Sequence, residues 1–565
     1  MTSSSSFNKI TFNCDVMIHI YKFLNIGDQL RLAQVDENQR SIFLQFVSPV
    51  KYKKFKVIQF EGDYIVSDDT DTDRILLRNS RDLEEFLQFY GNNVYEFLVR
   101  VKLNDRNFSE LFENTSPRME FFKNLVKFKI YCRRITVDDI VKVVNNMPNL
   151  EELQLHAVII ETEQSNGCIT RAIVKELLRL VKLKKIVLSV YTFYKFIQFE
   201  DFREIVTKLP LEIVKINAQI ILDSDDNALL FQQSPLHLKQ LKIITKAPFS
   251  LKGSTSLVPM LNSFRNLNIL DIDHFCNEMV IVLESLTQLH QLTLRSTDFS
   301  EEPSVILPPN ITTLHLIDCV GILLEHIQQF LHENLNPKLI EFVAIKTYFR
   351  VKEFKELHIS SRIKTLNIGS FDLNQFRSPF VENSALENLN LGTFHAKNLT
   401  MNTLHNLKNL KMLSLQITLP DEGFYVIRIL QELPLLRELV VRHATSSWPS
   451  LRAVVTSVTS LKILSFQNSD TILGFWFDMF SLNPKLELQL RLNTDDPNRL
   501  QFLIEHENFP RNLRKIEVCG FTVDCNKLRK NFKSVLKTIN YNIDDYEPLY
   551  HLERKCNIIM SRYKK

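Results

Sequence analysis

Glycine and proline are scarce in this chain, which has only 11 Gly and 19 Pro among 565 residues. Because both fractions lie below the usual roughly 7% and 5%, the composition excludes a collagen-like or glycine-linker architecture. The eight cysteines include no CxxC pair, so we predict neither a zinc site nor a disulfide framework. No run approaches the roughly 20 apolar residues of a membrane span, and the serine-rich first ten residues do not resemble a secretory signal. We therefore expect an intracellular protein, cytoplasmic or nuclear, whose thiols are reduced. We expect no membrane partner, and we expect residues 1–10 to be disordered.

An excess of one charge is missing as well, since 69 Lys and Arg face 65 Asp and Glu for a net charge of +4. This balance gives no reason to expect a nucleic-acid partner. The motifs of phosphate loops, dinucleotide folds, zinc proteases and serine hydrolases do not occur. No third ligand accompanies His290 and His315. We therefore predict that the chain is not an enzyme and has no metal site and no cofactor.

What the sequence does contain is a recurring L-x-x-L-x-L pattern, with Ile, Val or Phe at times in place of Leu. Seventeen copies, with middle residues from Phe97 to Ile516, follow one another at a mean spacing of about 26 residues. The apolar fourth and sixth positions of a copy would share one face of a short strand, since side chains alternate along a strand. Between copies, residues 140–147, 322–331 and 424–433 have the apolar spacing of helices. These faces are buried only when the copies stack.

The pattern resembles leucine-rich repeats, whose periods run from 20 to 29 residues. The resemblance implies an α/β solenoid shaped like a horseshoe, with parallel strands inside and helices outside, over residues 92–525. Residues 526–565 would form a C-terminal cap and tail. The family usually carries Asn or Cys three residues after the third apolar position, and here Cys319 matches. At that position we expect Phe371, Phe394 and Phe521 to form an apolar spine instead.

A different pattern precedes the repeats, and it predicts three short helices within residues 11–47. The first helix would carry an apolar stripe at i, i+4, i+7 and i+8, and Asp28 would cap the second. The apolar positions of these two helices are Val16, Ile20, Phe23, Leu24, Leu30, Leu32 and Val35. So small a module cannot bury an adequate core alone. It needs a partner, which is either its own repeats or another protein.

This stretch resembles an F-box, the motif that attaches substrate receptors to the Skp-type adaptor of SCF ubiquitin ligases. The resemblance rests on the following residues: Asp15, Val16, Ile18, Ile20, Phe23, Leu24, Asp28, Leu30 and Val35. It implies a small all-α module that binds the adaptor, and through it a cullin ligase, while the repeats hold an unknown client protein. The adaptor-binding residues that it implies are Phe12, Asn13, Val16, Ile20, Phe23, Leu24, Leu30, Leu32 and Val35. Asn13 stands where the family usually has Pro.

One alternative to the adaptor-binding module remains open. The helices could simply cap the first repeat, and the chain would then be a ligase-independent leucine-rich scaffold. A connecting segment, residues 48–91, separates the module from the first repeat and favours a docking role.

Two sets of residues are candidates for client binding. Lys185, Lys215 and Lys242 occupy outward positions on successive strands and would form a basic strip for an acidic or phosphorylated segment. Asn367 and Asn390 belong to an uncharged strip that could hydrogen-bond an extended peptide. The alternative for both is an ordinary solvated strand face.

Overall fold

The structure is a computed structural model of the whole chain. The residues that it describes are 14–47, 54–60, 63–68, 74–100, 119–161, 168–190, 196–221, 237–244, 261, 263–273, 283–300, 306–347, 349–350, 359–368, 384–391, 406–416, 432–442, 463–467, 487–493, 513–521, 538–541 and 555–561. They fall into two compact units, Met1–Leu267 and Asn268–Lys565.

The first unit begins with helices and continues with strands that alternate with helices. Its helices are α1 Cys14–Phe23, α2 Ile26–Ala33, α3 Glu37–Ile42 with a π-helical turn at Phe43–Val47, α4 Ser80–Tyr90, α5 Val137–Asn146, α6 Arg171–Leu177 and α7 Phe199–Lys208. Its strands are β1 Phe55–Phe60, β2 Asp63–Asp68, β3 Arg74–Leu77, β4 Val94–Arg100, β5 Lys127–Thr136, β6 Glu152–Glu161, β7 Cys168–Ile169, β8 Lys185–Val190, β9 Phe196–Gln198, β10 Ile213–Asn217, β11 Gln219–Ile221 and β12 Gln240–Ile243. Short 3-10 turns lie at Gly91–Asn93 and Met119–Phe122.

The second unit is dominated by strands. They are β13 Ile269–Asp273, β14 Gln291–Arg295, β15 Thr313–Ile317, β16 Ile322–Leu323, β17 Glu341–Ile345, β18 Phe349–Arg350, β19 Thr365–Ile368, β20 Asn388–Leu391, β21 Met412–Gln416, β22 Glu438–Arg442, β23 Ile463–Gln467, β24 Glu487–Asn493, β25 Leu513–Phe521, β26 Thr538–Tyr541 and β27 Lys555–Ser561. Helix α8, Leu324–Leu331, occupies most of the helix predicted at 322–331. Most of the helix predicted at 424–433 lies outside the described residues.

A strand lies at each of the 17 positions where the repeat spacing places one. In the first unit, β1, β4, β5, β6, β8, β10 and β12 pair in parallel in that order. In the second unit, parallel pairing runs from β13 through β14, β15, β17 and β19 to β25. This confirms the predicted α/β fold of stacked leucine-rich repeats.

Within each unit, the fourth position of most copies faces the fourth position of the next, and this register builds the core. Leu153 faces Ile186 in the first unit, and Leu366 faces Leu389 in the second. All four side chains are fully buried. The carbonyl of Glu151, at the second position, accepts both the Lys184 N–H at 2.8 Å and the Lys185 N–H at 2.9 Å. The same paired bonding recurs in later repeats and fixes the stagger between copies.

Buried polar side chains follow the third apolar position in three copies that carry no Phe there. Thr297, Cys319 and Thr347 follow the third apolar position by three residues in consecutive copies, and all three are fully buried. The Thr297 hydroxyl donates to the Arg295 carbonyl at 3.0 Å, and the Thr347 hydroxyl donates to the Leu316 carbonyl at 3.2 Å. In these copies a hydroxyl or thiol therefore takes the place of the Asn and donates hydrogen bonds to backbone carbonyls. Phe371 and Phe394 lie outside the described residues, and for Phe521 only the backbone is described.

Candidate interaction surfaces

The N-terminal helices are set by their caps. The Asn25 side chain accepts the Asp28 N–H at 3.0 Å, and the Asp36 side chain accepts the Gln39 N–H at 2.7 Å. The buried Gln29 amide donates to the carbonyls of Tyr21 at 2.5 Å and Leu24 at 2.8 Å, which closes the end of α1. The two bonds donated by Gln29 join α2 to the end of α1.

Helix α1 buries one side and exposes the other. Met17 and Tyr21 are buried, whereas Val16, Ile20 and Phe23 are 48%, 38% and 79% exposed. The three exposed side chains line a shallow apolar depression together with Asp15 and His19. The ring of His19 meets the Phe23 ring edge-on at 5.2 Å. We call Val16, Ile20 and Phe23 the α1 apolar face.

The other predicted adaptor-binding residues divide between exposed and half-buried positions. Val35, just after α2, is 70% exposed. Leu24, Leu30 and Leu32 are half-buried. Phe12 and Asn13 lie outside the described residues. The structure thus brings Val16, Ile20 and Phe23 together at one surface.

The opposite side of the helices packs on the first strands through an aromatic cluster. The fully buried Phe43 ring lies 5.3 Å from Tyr21 and 5.6 Å from Tyr90 of α4. Tyr90 in turn contacts Phe55 of β1 at 4.8 Å. The N-terminal helices therefore share a core with residues 48–91, which we expected to be only a connecting segment. That segment, residues 48–91, contains β1–β3 and α4, with β1 pairing in parallel with β4.

The three lysines of the predicted basic strip do not form one row. Lys215 and Lys242 face each other in the β10–β12 register. Lys185 is offset by two residues, because it faces Ile213, and Lys215 faces Val187. Lys185 also binds the Glu152 carboxylate at 2.9 Å. The structure therefore places Lys215 beside Lys242, whereas Lys185 forms an ion pair with Glu152.

That acid belongs to an alternating ladder of charges, which sequence reasoning missed. Across β1, β4, β5, β6 and β8 the order is Lys56, Glu96, Lys129, Glu152 and Lys185. The distances between successive Nζ and Oε1 atoms are 3.8, 3.3, 3.7 and 2.9 Å. Glu96 is only 5% exposed. Part of the signal was present in the sequence, since Glu96, Glu152 and Lys185 occupy the third position of their copies.

The ladder controls the ionisation of Glu152. Burial alone would raise its pKa, but hydrogen bonds from Lys185 and Gln154 and the charges of Lys185 and Lys129 outweigh that effect. The pKa of Glu152 therefore lies below its ordinary value. This face of the first unit is charged yet internally compensated.

The second predicted client site, Asn367 and Asn390, lies in one row with Ser414. The three face one another across β19, β20 and β21. Asn390 is 9% exposed, although it was expected on an open face, and Ser414 is 1% exposed. Each strand has an in-register neighbour on either side, and these neighbours shield short side chains. The Oδ1 atoms of both asparagines and the Ser414 Oγ are buried and accept no hydrogen bond.

Within the described residues, no group of three or more His, Cys, Asp and Glu side chains is placed to hold a metal ion. His315 instead contacts the Glu341 carboxylate at 3.1 Å, and His290 contacts the Asn310 carbonyl at 3.1 Å. None of the helices in the described ranges has the length and apolar composition of a membrane span.

Comparisons with known proteins return similar structures only. No family model and no curated protein matches the chain. An internalin from Listeria monocytogenes is similar at 16% identity and a TM-score of 0.31, over 58% of this chain and 89% of that one. CroV588, a circular leucine-rich-repeat protein, is similar at 13% identity and a TM-score of 0.38, over 83% of this chain and 61% of that one. Because these identities and TM-scores are low, the evidence for the repeat fold is the strand pairing and the repeat spacing of this chain.

Proposed function

We propose that the chain is a non-catalytic, intracellular substrate-recognition subunit of an SCF-type ubiquitin ligase. Its N-terminal helices dock on a Skp-type adaptor, and its repeats hold a client protein near the ubiquitin-loaded partner. The contribution to rate is proximity, because both reactants are held in one complex. No residue of the chain needs to take part in the chemical step.

The observation that carries the proposal is the α1 apolar face. Three neighbouring apolar side chains are exposed on a helix whose other side is buried and whose C-terminal end is held by hydrogen bonds from Gln29. Contiguous exposed apolar residues are typical of protein-binding sites. These same positions carry the F-box resemblance, with Val35 at the end of α2. The aromatic cluster joins these helices to α4 and β1, which precede the repeats.

The experiment is co-expression of the full chain with a Skp-type adaptor, followed by size-exclusion chromatography. The test variant is Val16→Asp with Phe23→Asp, which places charge on exposed positions that contribute little to the fold. The matched control is Val181→Asp, because Val181 is an exposed valine of the repeats at 68%. We expect the wild type and the control to co-elute with the adaptor and the double variant to elute alone.

A second function is favoured by the contact between Phe43 and Tyr90. In this function the helices, together with α4 and with β1, which pairs with β4, cover the apolar edge of the first repeat as a cap does. The chain would then be a ligase-independent scaffold. Failure of the folded wild type to co-elute with the adaptor would support this function and contradict the first.

A further inference from the structure

We propose that Asn367, Asn390 and Ser414, here called the amide row, form the client site and bind the main chain of an extended, neutral or basic peptide segment. This inference rests on the part of the proposed function that assigns client binding to the repeats. It does not depend on the adaptor.

The first argument is that the amide row carries unmet hydrogen-bonding capacity. The two asparagine Oδ1 atoms and the serine Oγ are buried without a partner. A buried polar group that lacks a partner destabilises the folded chain. Three such groups at the same position of three consecutive repeats therefore work against folding and point to a ligand.

The second argument is that the fold accepts apolar residues at this position. The amide row is flanked in register by Val343 on β17 and Val440 on β22. Both valines are buried, at 8% and 5% exposure. The repeats thus pack with valine on either side of the row, so the polar side chains are not required by the architecture.

The third argument concerns access. Asn367 is half-buried and Asn390 retains 9% exposure, so each residue keeps some surface at the face of the strands, although both Oδ1 atoms are buried. The last torsion of an asparagine side chain is soft, and its rotation brings either the oxygen or the amino group to that surface. A carboxamide can therefore accept an N–H from a peptide group and donate to its carbonyl. Ser414, at 1% exposure, is buried at the end of the row, next to Asn390.

Dimensions and charge define the occupant. Parallel strands lie about 4.8 Å apart, so the row is about 10 Å long, which matches roughly three residues of extended chain. At the third position of the same three strands stand Thr365, Asn388 and Met412, which carry no charge. Glu341 on β17 and Glu438 on β22 flank this uncharged window. A neutral or basic segment suits such a surface, whereas a phosphorylated one does not.

The probe is a phage-displayed library of short random peptides selected on the full chain. Binding of the selected peptides is then measured on the wild type and on Asn367→Val with Asn390→Val. We expect the double variant to weaken binding at least about tenfold, since two hydrogen-bonding groups are lost. Its Tm should equal or exceed that of the wild type. Its co-elution with the adaptor should not change, which separates this test from that of the docking helices.

The matched control is Asn409→Val. The Asn409 amide donates to the Ser384 carbonyl at 3.0 Å, so this asparagine has a structural bond. We expect the control to lower the Tm and to leave peptide binding intact. The proposal is overturned if no peptide is selected or if the selected peptides bind the double variant as well as the wild type. It is also overturned if the double variant lowers the Tm as much as the control does.

Discussion

Replacement of Phe43 by Ala tests whether the N-terminal helices α1–α3 are held by the aromatic cluster. The Phe43 side chain is fully buried between Tyr21 and Tyr90. Loss of a buried phenylalanine costs about 3–5 kcal/mol through lost transfer energy and the cavity that remains. At roughly 0.05–0.15 kcal/mol per residue, residues 14–47 contribute only about 2–5 kcal/mol to the free energy of unfolding. The substitution should therefore release these helices while the repeats stay folded.

The assay combines two probes of different regions. Amide hydrogen exchange reports on residues 14–47, and tryptophan fluorescence during urea unfolding reports on the second unit, because both tryptophans, Trp448 and Trp476, lie there. We expect Phe43→Ala to remove exchange protection from α1–α3 and to leave the fluorescence midpoint unchanged. The control is Phe46→Ala on the same π-helical turn. Phe46 is 48% exposed, so its loss should change stability by no more than about 0.5 kcal/mol. Full protection of α1–α3 in Phe43→Ala would refute the reasoning.

Three further predictions concern the repeats. The pKa of Glu152 is lowered in the folded chain, so its stabilising effect is present above the unfolded pKa and is lost as pH falls through the folded value. Glu152→Gln should therefore flatten the decline of Tm on acidification from about pH 5, and an unchanged acid profile would contradict the ladder. Gly321 has φ +72° and a Cβ there would lie 2.6 Å from the Ser300 nitrogen, so Gly321→Ala should lower the free energy of unfolding by about 1–3 kcal/mol in urea titration. Burial raises the pKa of Cys319 to about 11, so mass spectrometry at neutral pH should find iodoacetamide on the half-buried Cys14 well before Cys319, and equal labelling would contradict this.

The strands could be predicted because one periodicity fixes both their position and their buried face. The spacing of Leu153, Ile186 and Val214 placed β6, β8 and β10. Register follows from the same residues, since Leu153 faces Ile186 and Ile186 faces Val214. The two-residue offset between Lys185 and Lys215 could also have been read from the sequence, because one occupies the third position of its copy and the other the fifth.

What could not be predicted depends on contacts between distant residues. The strands at residues 55–77 escaped notice because they do not carry the repeat pattern. The packing of Phe43 on Tyr90 joins residues 47 positions apart, and no local pattern reports such a contact. The burial of Asn390 was missed for a similar reason: alternation gives the direction of a side chain, whereas its exposure depends on the neighbouring strands. The exposure of Val16 and Phe23 was consistent with the F-box resemblance but also needed the helix arrangement.

The most direct test of the account is hydrogen exchange of the full chain with and without a Skp-type adaptor. The proposed function predicts added protection in α1 and at the end of α2, where Val16, Ile20, Phe23 and Val35 lie. It predicts none at β19–β21, which hold the proposed client site. Unchanged exchange at residues 14–35 in the presence of excess adaptor would contradict the docking role and leave the helices as a cap.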